Sequence, residues 1–354
     1  MKKLVLSLLI VFIVVFLVVF VSYKNGISSV GNSSKEIEFK VDKGSSFLTI
    51  AKDLKKAKLI KSELFYKIYI KLHHISNIES GVYILNNKMD VEDITKILQG
   101  KSINPNTISI TFKEGYDMTD IIKEITTHTN NSEEDIINTL KDTEYLNSLI
   151  DKYWFIDENI LNEELYYSLE GYLYPNTYQF SDKNVSVEDI FNTMISEMNK
   201  KLTDIKSDIL NSNYKPHQIL TLASIIELEG VHSNDRAGIA SVFYNRLNSN
   251  MNLGSDVTTY YGARVKMSER DLYAEELNSS NPYNTRNANM AGRLPVGPIC
   301  NPSIESIKAS VNPGDSDYFF FVADKNKKTY FSKTYQQHTA TVNKLKQEGL
   351  WYEY

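Results

Sequence analysis

Residues 215–230 read KPHQILTLASIIELEG. Pro216 stands at the start and Gly230 at the end, the placements that suit the first turn and the stop of a helix. The stretch is apolar around most of its circumference, so the spacing predicts a buried helix. Two carboxylates, Glu227 and Glu229, fall in its last turn, where the helix dipole disfavours negative charge. A glutamate there is costly unless its pKa rises, and a raised pKa is what a general acid needs. In projection Glu227 falls between Leu220 and Ala223, and Glu229 between Leu222 and Ile225. Both border the apolar face, so periodicity does not choose between them. The plain alternative is an exposed helix end with both carboxylates solvated.

Downstream, residues 235–247 read DRAGIASVFYNRL. Ile239, Val242, Phe243 and Arg246 are spaced i, i+3, i+4, i+7, which puts Arg246 on the apolar stripe of a second helix. A buried guanidinium requires a carboxylate or several carbonyls as partners; otherwise it snorkels from the helix end. Asn245 sits beside it. Gly254-Ser255-Asp256 reads as a turn leading into a strand-like Val257–Tyr261. The loops Asn281–Thr285 and Leu294–Ile299 are dense in amide, hydroxyl and aromatic groups. Such groups suit a sugar, and they equally suit well-packed turns.

Upstream, Phe39-Lys40-Val41-Asp42-Lys43-Gly44 with Ile50–Leu54 resembles Ile110–Gly115 with Ile121–Ile125. Each copy predicts a short strand, a glycine turn and an amphipathic helix. Gly81–Leu85 predicts a strand, and Asp90–Leu98 a helix with Asp90 as N-cap and Gly100 beyond its end. Gly171–Phe180, broken by Pro175, reads as a turn or loop, and a helical pattern follows from about Val187 to Leu202. The pattern as a whole is α+β.

Leu4–Val21 reads LVLSLLIVFIVVFLVVFV, with Ser7 the one polar residue. As a helix it would cover about 27 Å at ~1.5 Å per residue, close to a bilayer's hydrocarbon thickness. No A-x-A cleavage pattern follows it, so an uncleaved anchor is expected rather than a signal peptide. Lys2 and Lys3 precede the run and predict a cytoplasmic N-terminus with the rest of the chain outside the membrane. Ser22–Lys35 is Ser, Gly and Asn rich and predicts a flexible tether. The expected division is 1–23 anchor, 24–35 linker, 36–103 first small module, 104–165 second module or connector, and 166–350 the chemistry-bearing domain.

The 354 residues carry 39 Lys+Arg and 44 Asp+Glu, a net charge of −5, which argues against nucleic acid as a partner. Cys300 is the single cysteine, so no internal disulfide or multi-cysteine metal site is possible. His73 and His74 are adjacent on a predicted helix and point apart, which disfavours joint metal ligation. Neither a nucleotide-binding glycine motif nor a zinc-protease or nucleophile-elbow motif is present. No metal or cofactor is expected.

The runs LASIIELEG, IASVFYNRL, MNLGSDVTTYYG, PYNT, LPVGPICNP and YFFFVAD, in this order, resemble the endolytic murein transglycosylase (YceG-like) family. The anchor, residues 36–103 as a LysM-like module, and EGYLYPNTY from Glu170 fit it too. The family's G-L-P-P-G segment stands here as Gly292-Arg293-Leu294-Pro295-Val296-Gly297. The resemblance implies a membrane-anchored enzyme that cuts MurNAc–GlcNAc bonds within nascent peptidoglycan strands and leaves 1,6-anhydro-MurNAc ends. Wall-synthesis enzymes are its implied partners. It also implies Glu227 as the catalytic acid/base. Asn245, Arg246, Asp256, Tyr283 and Asn284 would then position the glycan, with Glu229 and Glu170 as alternative carboxylates. A non-catalytic glycan-binding adaptor is the competing expectation; a receptor for a soluble peptide has no motif in its favour.

Overall fold

The computed structural model describes residues 2–42, 44–100, 107–230 and 233–351. The chain divides between Thr107 and Ile108 into two compact units. The expected boundary at 103/104, and Lys43 of the first repeat, lie outside the described residues.

The first unit begins with α1 (Lys2–Ile27). Its apolar stretch, Leu9–Ile27, has a mean hydropathy of 2.3 and is almost wholly uncovered. It is followed by β1 (Ile37–Val41), α2 (Phe47–Lys56), α3 (Glu63–Leu72), β2 (Gly81–Leu85) and α4 (Val91–Gln99). β1 and β2 pair antiparallel with Phe39 opposite Tyr83. The alternation of β1 turns Phe39 and Val41 inward, onto Ile50, Leu54, Tyr66, Ile70, Ile94 and Leu98. Asp90 caps α4 in a reciprocal box with Asp93, as its sequence position predicts.

The expected tether is partly structured. α1 continues to Ile27, and Lys61 Nζ donates to Asn25 Oδ1 (3.3 Å) and Ser28 Oγ (2.8 Å). Gly31 N bonds Asn87 O at 2.8 Å and Ser33 N bonds Asn87 Oδ1 at 3.0 Å. A polar composition predicted coil, but these local partners give the backbone somewhere to bond.

The second unit opens with β3 (Ile108–Thr111), α5 (Met118–His128), α6 (Glu133–Lys141), α7 (Thr143–Lys152) and β4 (Thr177–Phe180). β3 pairs antiparallel with β4, so the end of the segment read as a loop is a strand, and the ladder spans the expected 165/166 boundary. Gly44 (φ +82°) and Gly115 (φ +78°) both sit in the left-handed region, the shared turn that the repeat marks. α8 (Val187–Thr203) and α9 (Lys206–Asn211) lead to α10 (Pro216–Glu229). Then come α11 (Arg236–Asn248), α12 (Asp256–Ala263), α13 (Ala274–Leu277), α14 (Ile304–Val311), the antiparallel hairpin β5 (Phe320–Ala323) and β6 (Thr329–Ser332), and α15 (Tyr335–Gln347).

α10 is apolar on every side because it divides two cores. Ile219, Leu220 and Ala223 face the core built on α5 and α8. Leu222, Ile225 and Ile226 face a second core with Ile239 and Phe243 of α11. Gly230 ends α10 without a positive φ; a Cβ there would lie 2.8 Å from Ile226 O and 3.0 Å from Arg236 Cγ. The glycine serves close approach, not handedness.

Val257–Tyr261 is helical, not the expected strand. The β-branched run favours a strand locally. The structure overrides it: Thr258 Oγ1 bonds back to Ser255 O at 2.7 Å and Thr259 Oγ1 bonds Asn284 Oδ1 at 2.9 Å. Threonine is tolerated in a helix when its hydroxyl finds such a partner.

Candidate active site

Glu229, the last residue of α10, lines a cleft of about 630 Å³ in the second unit. Arg246 of α11, Ser255, Asp256 at the start of α12, Arg286, Phe321 of β5, His338 of α15 and Trp351 share its walls. Ser255 Oγ donates to Glu229 Oε1 at 2.6 Å. Burial pushes the Glu229 carboxyl above the usual glutamate range; the Ser255 hydroxyl opposes this, Asp256 reinforces it, and Arg246 and Arg286 oppose it further. Ser255 is itself fixed from beneath by buried hydroxyls: its N–H donates to Thr285 Oγ1 (3.1 Å), and the Thr285 and Thr258 hydroxyls lie 2.8 Å apart.

Glu227 is not among the groups lining that cleft. Its side chain is 6% exposed and turned to the other side of α10. Arg236 Nη2 donates to Oε1 at 2.9 Å, and the Ser303 N–H (2.9 Å) and hydroxyl (2.5 Å) both donate to Oε2. Two residues apart on a helix means about 200° apart in direction, so the two glutamates face opposite sides. Both Glu227 oxygens are thus occupied by partners within the fold, one of them the N-cap of α14.

Arg246 lies on the apolar stripe as predicted. Its partners are carbonyls: Nε donates to Phe319 O at 2.7 Å, and Nη1 to Leu253 O. It also stacks over Phe320, 5.3 Å from the ring centre. Asp256 is half exposed at the cleft wall and paired with Arg286. Asn245 does not line the cleft; its Nδ2 donates to Ser316 O (2.9 Å) and Tyr318 O (2.8 Å), holding the approach to β5. Tyr283 is fully buried between Tyr166 and Tyr261, at ring distances of 4.9 and 4.8 Å. Asn284 is buried too, its Nδ2 on Leu277 O (3.1 Å) and Ser279 O (2.8 Å). A direct glycan contact from Asn245, Tyr283 or Asn284 is therefore corrected to a role inside the scaffold: the Pro/Asn/Tyr text is turn construction. Asn284→Ala is expected to cost about 1–3 kcal/mol by stranding those carbonyls, read as a lower denaturant midpoint.

Glu170 is wholly buried beneath the α12 side of the unit and does not line the cleft. It accepts from Met118 N (2.8 Å), Tyr261 Oη (3.0 Å) and Asn301 Nδ2 (3.1 Å). Burial, then the charge of Asp117, pushes its carboxyl up to about 8 from an ordinary 4.5. A folded value raised above the unfolded one contributes stability that is complete below about pH 4.5 and lost as pH rises through about 8. The melting temperature of the protein is expected to fall between pH 5 and 9, with a flatter slope in Glu170→Gln; scanning calorimetry against pH checks this.

Sequence reading passed over Ser255, Arg286 and Trp351. Ser255 carried a signal, since it separates Gly254 (φ +58°) from the first acidic residue of a helix. Arg286 and Trp351 reach the cleft through tertiary folding, and nothing local marks them.

A carboxyl whose pKa is raised by desolvation, opening into a cleft on an α+β scaffold, is the equipment of an acid–base enzyme. The chain belongs to the YceG-like family, whose model matches residues 39–344. It is 35% identical over 315 residues to the endolytic murein transglycosylase of Bacillus subtilis (strain 168), covering 88% of this chain and 86% of that protein. It is 29% identical to the endolytic murein transglycosylase of Streptococcus pneumoniae serotype 2, covering 96% of this chain and 65% of that one. A crystal structure of a yceG-like protein from Listeria monocytogenes aligns with a TM-score of 0.61 at 33% identity, covering 87% of this chain and all of the other.

Proposed function

We propose that this protein is a peptidoglycan lytic transglycosylase held to the membrane by α1, with Glu229 as its acid/base. The observation that carries the reading is the Glu229 carboxyl: partly buried, raised in pKa by desolvation and lining a cleft of about 630 Å³ with Ser255, Arg246 and Arg286 around it. The names of the relatives supply the substrate class. Protonated Glu229 gives its proton to the glycosidic oxygen as the bond to MurNAc C1 breaks. The resulting carboxylate takes the proton of the C6 hydroxyl, which closes on C1. The proton returns to Glu229 and no water is consumed, so no second carboxylate has to activate one. Asp256, beside the cleft, adds to the upward push on Glu229 and stands where it can oppose positive charge developing on the sugar. The Arg246 and Arg286 guanidiniums offer donors to polar groups of the strand.

The β1–α2–α3–β2 order supports reading the first unit as a LysM-like wall-binding module. Lys2 and Lys3 favour a cytoplasmic N-terminus, with both units on the outer face among the synthases that extend the strands. Full-length protein incubated with uncrosslinked glycan should release fragments ending in anhydro-MurNAc, detected by mass spectrometry. Reducing MurNAc ends alone would point to a hydrolase, and binding without release to an adaptor.

A further inference from the structure

α3 packs on α1 inside the first unit, and its direction can be read from the contacts. Lys61, just before α3, bonds Asn25 and Ser28 of the chain leaving α1. Phe65, one turn further along α3, packs edge-on against Tyr23 at 5.9 Å. It also lies over Gly26, where a Cβ would meet its ring at 2.0 Å. Moving forward along α3 is moving backward along α1, so the C-terminal half of α3 descends toward the apolar stretch. Leu72 lies seven residues past Phe65, about 10 Å at ~1.5 Å per residue. Continued in the same direction, the helix carries Leu72 toward the side of α1 where the apolar side chains preceding Tyr23 lie.

The exposed face of this half is apolar with a cationic border. Leu64, Ile68 and Leu72 follow at i, i+4, i+8 and share one side of the helix. Leu64 is 62% and Leu72 61% exposed. Ile68, Lys71, Leu72 and His74 line an open hollow of about 400 Å³. Lys67 reaches Glu63 only at 3.9 Å, and Lys71 has no ion pair among the described residues. Exposed leucines with lysines alongside form the face of a helix that lies in a membrane interface, stems in the acyl boundary and ammonium groups at the phosphates.

We infer that the C-terminal half of α3 rests on the bilayer, with Ile68 and Leu72 at the acyl boundary and Lys67 and Lys71 against anionic headgroups. The inference rests on α1 being the anchor. It holds the first unit against the membrane surface, where the sequence alone suggested a module floating on a tether.

The test is full-length protein in vesicles of phosphatidylcholine and phosphatidylglycerol, carrying a nitroxide at Leu72→Cys. Cys300 is buried and escapes the label. Val14→Cys, within α1, sets the membrane limit, and the exposed Glu133→Cys sets the aqueous limit. The expected result is an oxygen-to-nickel-chelate accessibility ratio at position 72 several-fold above that at position 133. It should fall when Lys67 and Lys71 are both changed to Glu. A ratio at 72 equal to that at 133, with Val14→Cys in lipid, overturns the inference and leaves the anchor standing. An immobile label without oxygen access would mean a protein covers the face, and overturns it too. If Val14→Cys is itself aqueous, the anchor reading fails and this one with it.

Discussion

Glu229→Gln is expected to lower the rate of glycan cleavage by at least about 10²–10⁴-fold, the usual worth of a positioned acid/base. Melting should change little. The amide keeps the volume of the acid, and its oxygen can still accept from Ser255 Oγ, 2.6 Å away in the native protein. It cannot give up a proton to a leaving oxygen. The loss should therefore appear in kcat, with glycan binding retained. The pH profile supplies an independent check. Catalysis starts from the protonated acid, so activity persists below the raised Glu229 value and declines as pH climbs through it, later than an ordinary glutamate would dictate. Ser255→Ala removes a donor that favours the carboxylate, so the declining limb should move to higher pH. Full cleavage by Glu229→Gln would dismiss this residue as the acid.

The sequence made α10 legible, with its limits, its burial and its two carboxylates, because proline, glycine and an all-round apolar pattern are local signals. It could not tell which glutamate faces the cleft. That depends on the cleft lying on the α12 side of α10, and the cleft is made by Ser255, Arg286 and Trp351 from distant segments. Resemblance pointed to Glu227; of the two, Glu229 is the one that lines the cleft. Arg246 was readable because a cation on an apolar stripe is an anomaly that demands partners; that these are carbonyls of Leu253 and Phe319 was not. Tyr283 and Asn284 misled for a related reason. Groups that bind sugar hydroxyls are the groups that tie turns together, and composition does not record whether a side chain points in or out. The helix at Val257–Tyr261 was hidden because the Thr259 hydroxyl finds its partner on Asn284, 25 residues away.

Glu227→Ala should unfold the second unit rather than disarm it. The carboxylate, 6% exposed, pairs with Arg236, 12% exposed, so solvent screens the pair little. Breaking one partner of such a pair typically costs about 3–5 kcal/mol, because the other charge stays buried. Arg236 is poorly placed to compensate, since its Nε has no hydrogen-bond partner among the described residues. The Ser303 N–H and hydroxyl lose their acceptor as well, at the cap of α14. At ~2–4 °C per kcal/mol for a unit of this size, melting should fall by about 6–20 °C. Glu227→Gln keeps the shape without the charge and should fall less, while cleaving at near-native kcat below its melting point. Glu227→Ala combined with Arg236→Met should recover part of the loss, since it removes the stranded cation. The result that would reverse the assignment is equally definite: a Glu227→Gln protein that melts like the native one yet cuts no glycan makes Glu227 the acid and Glu229 a partly buried neighbour.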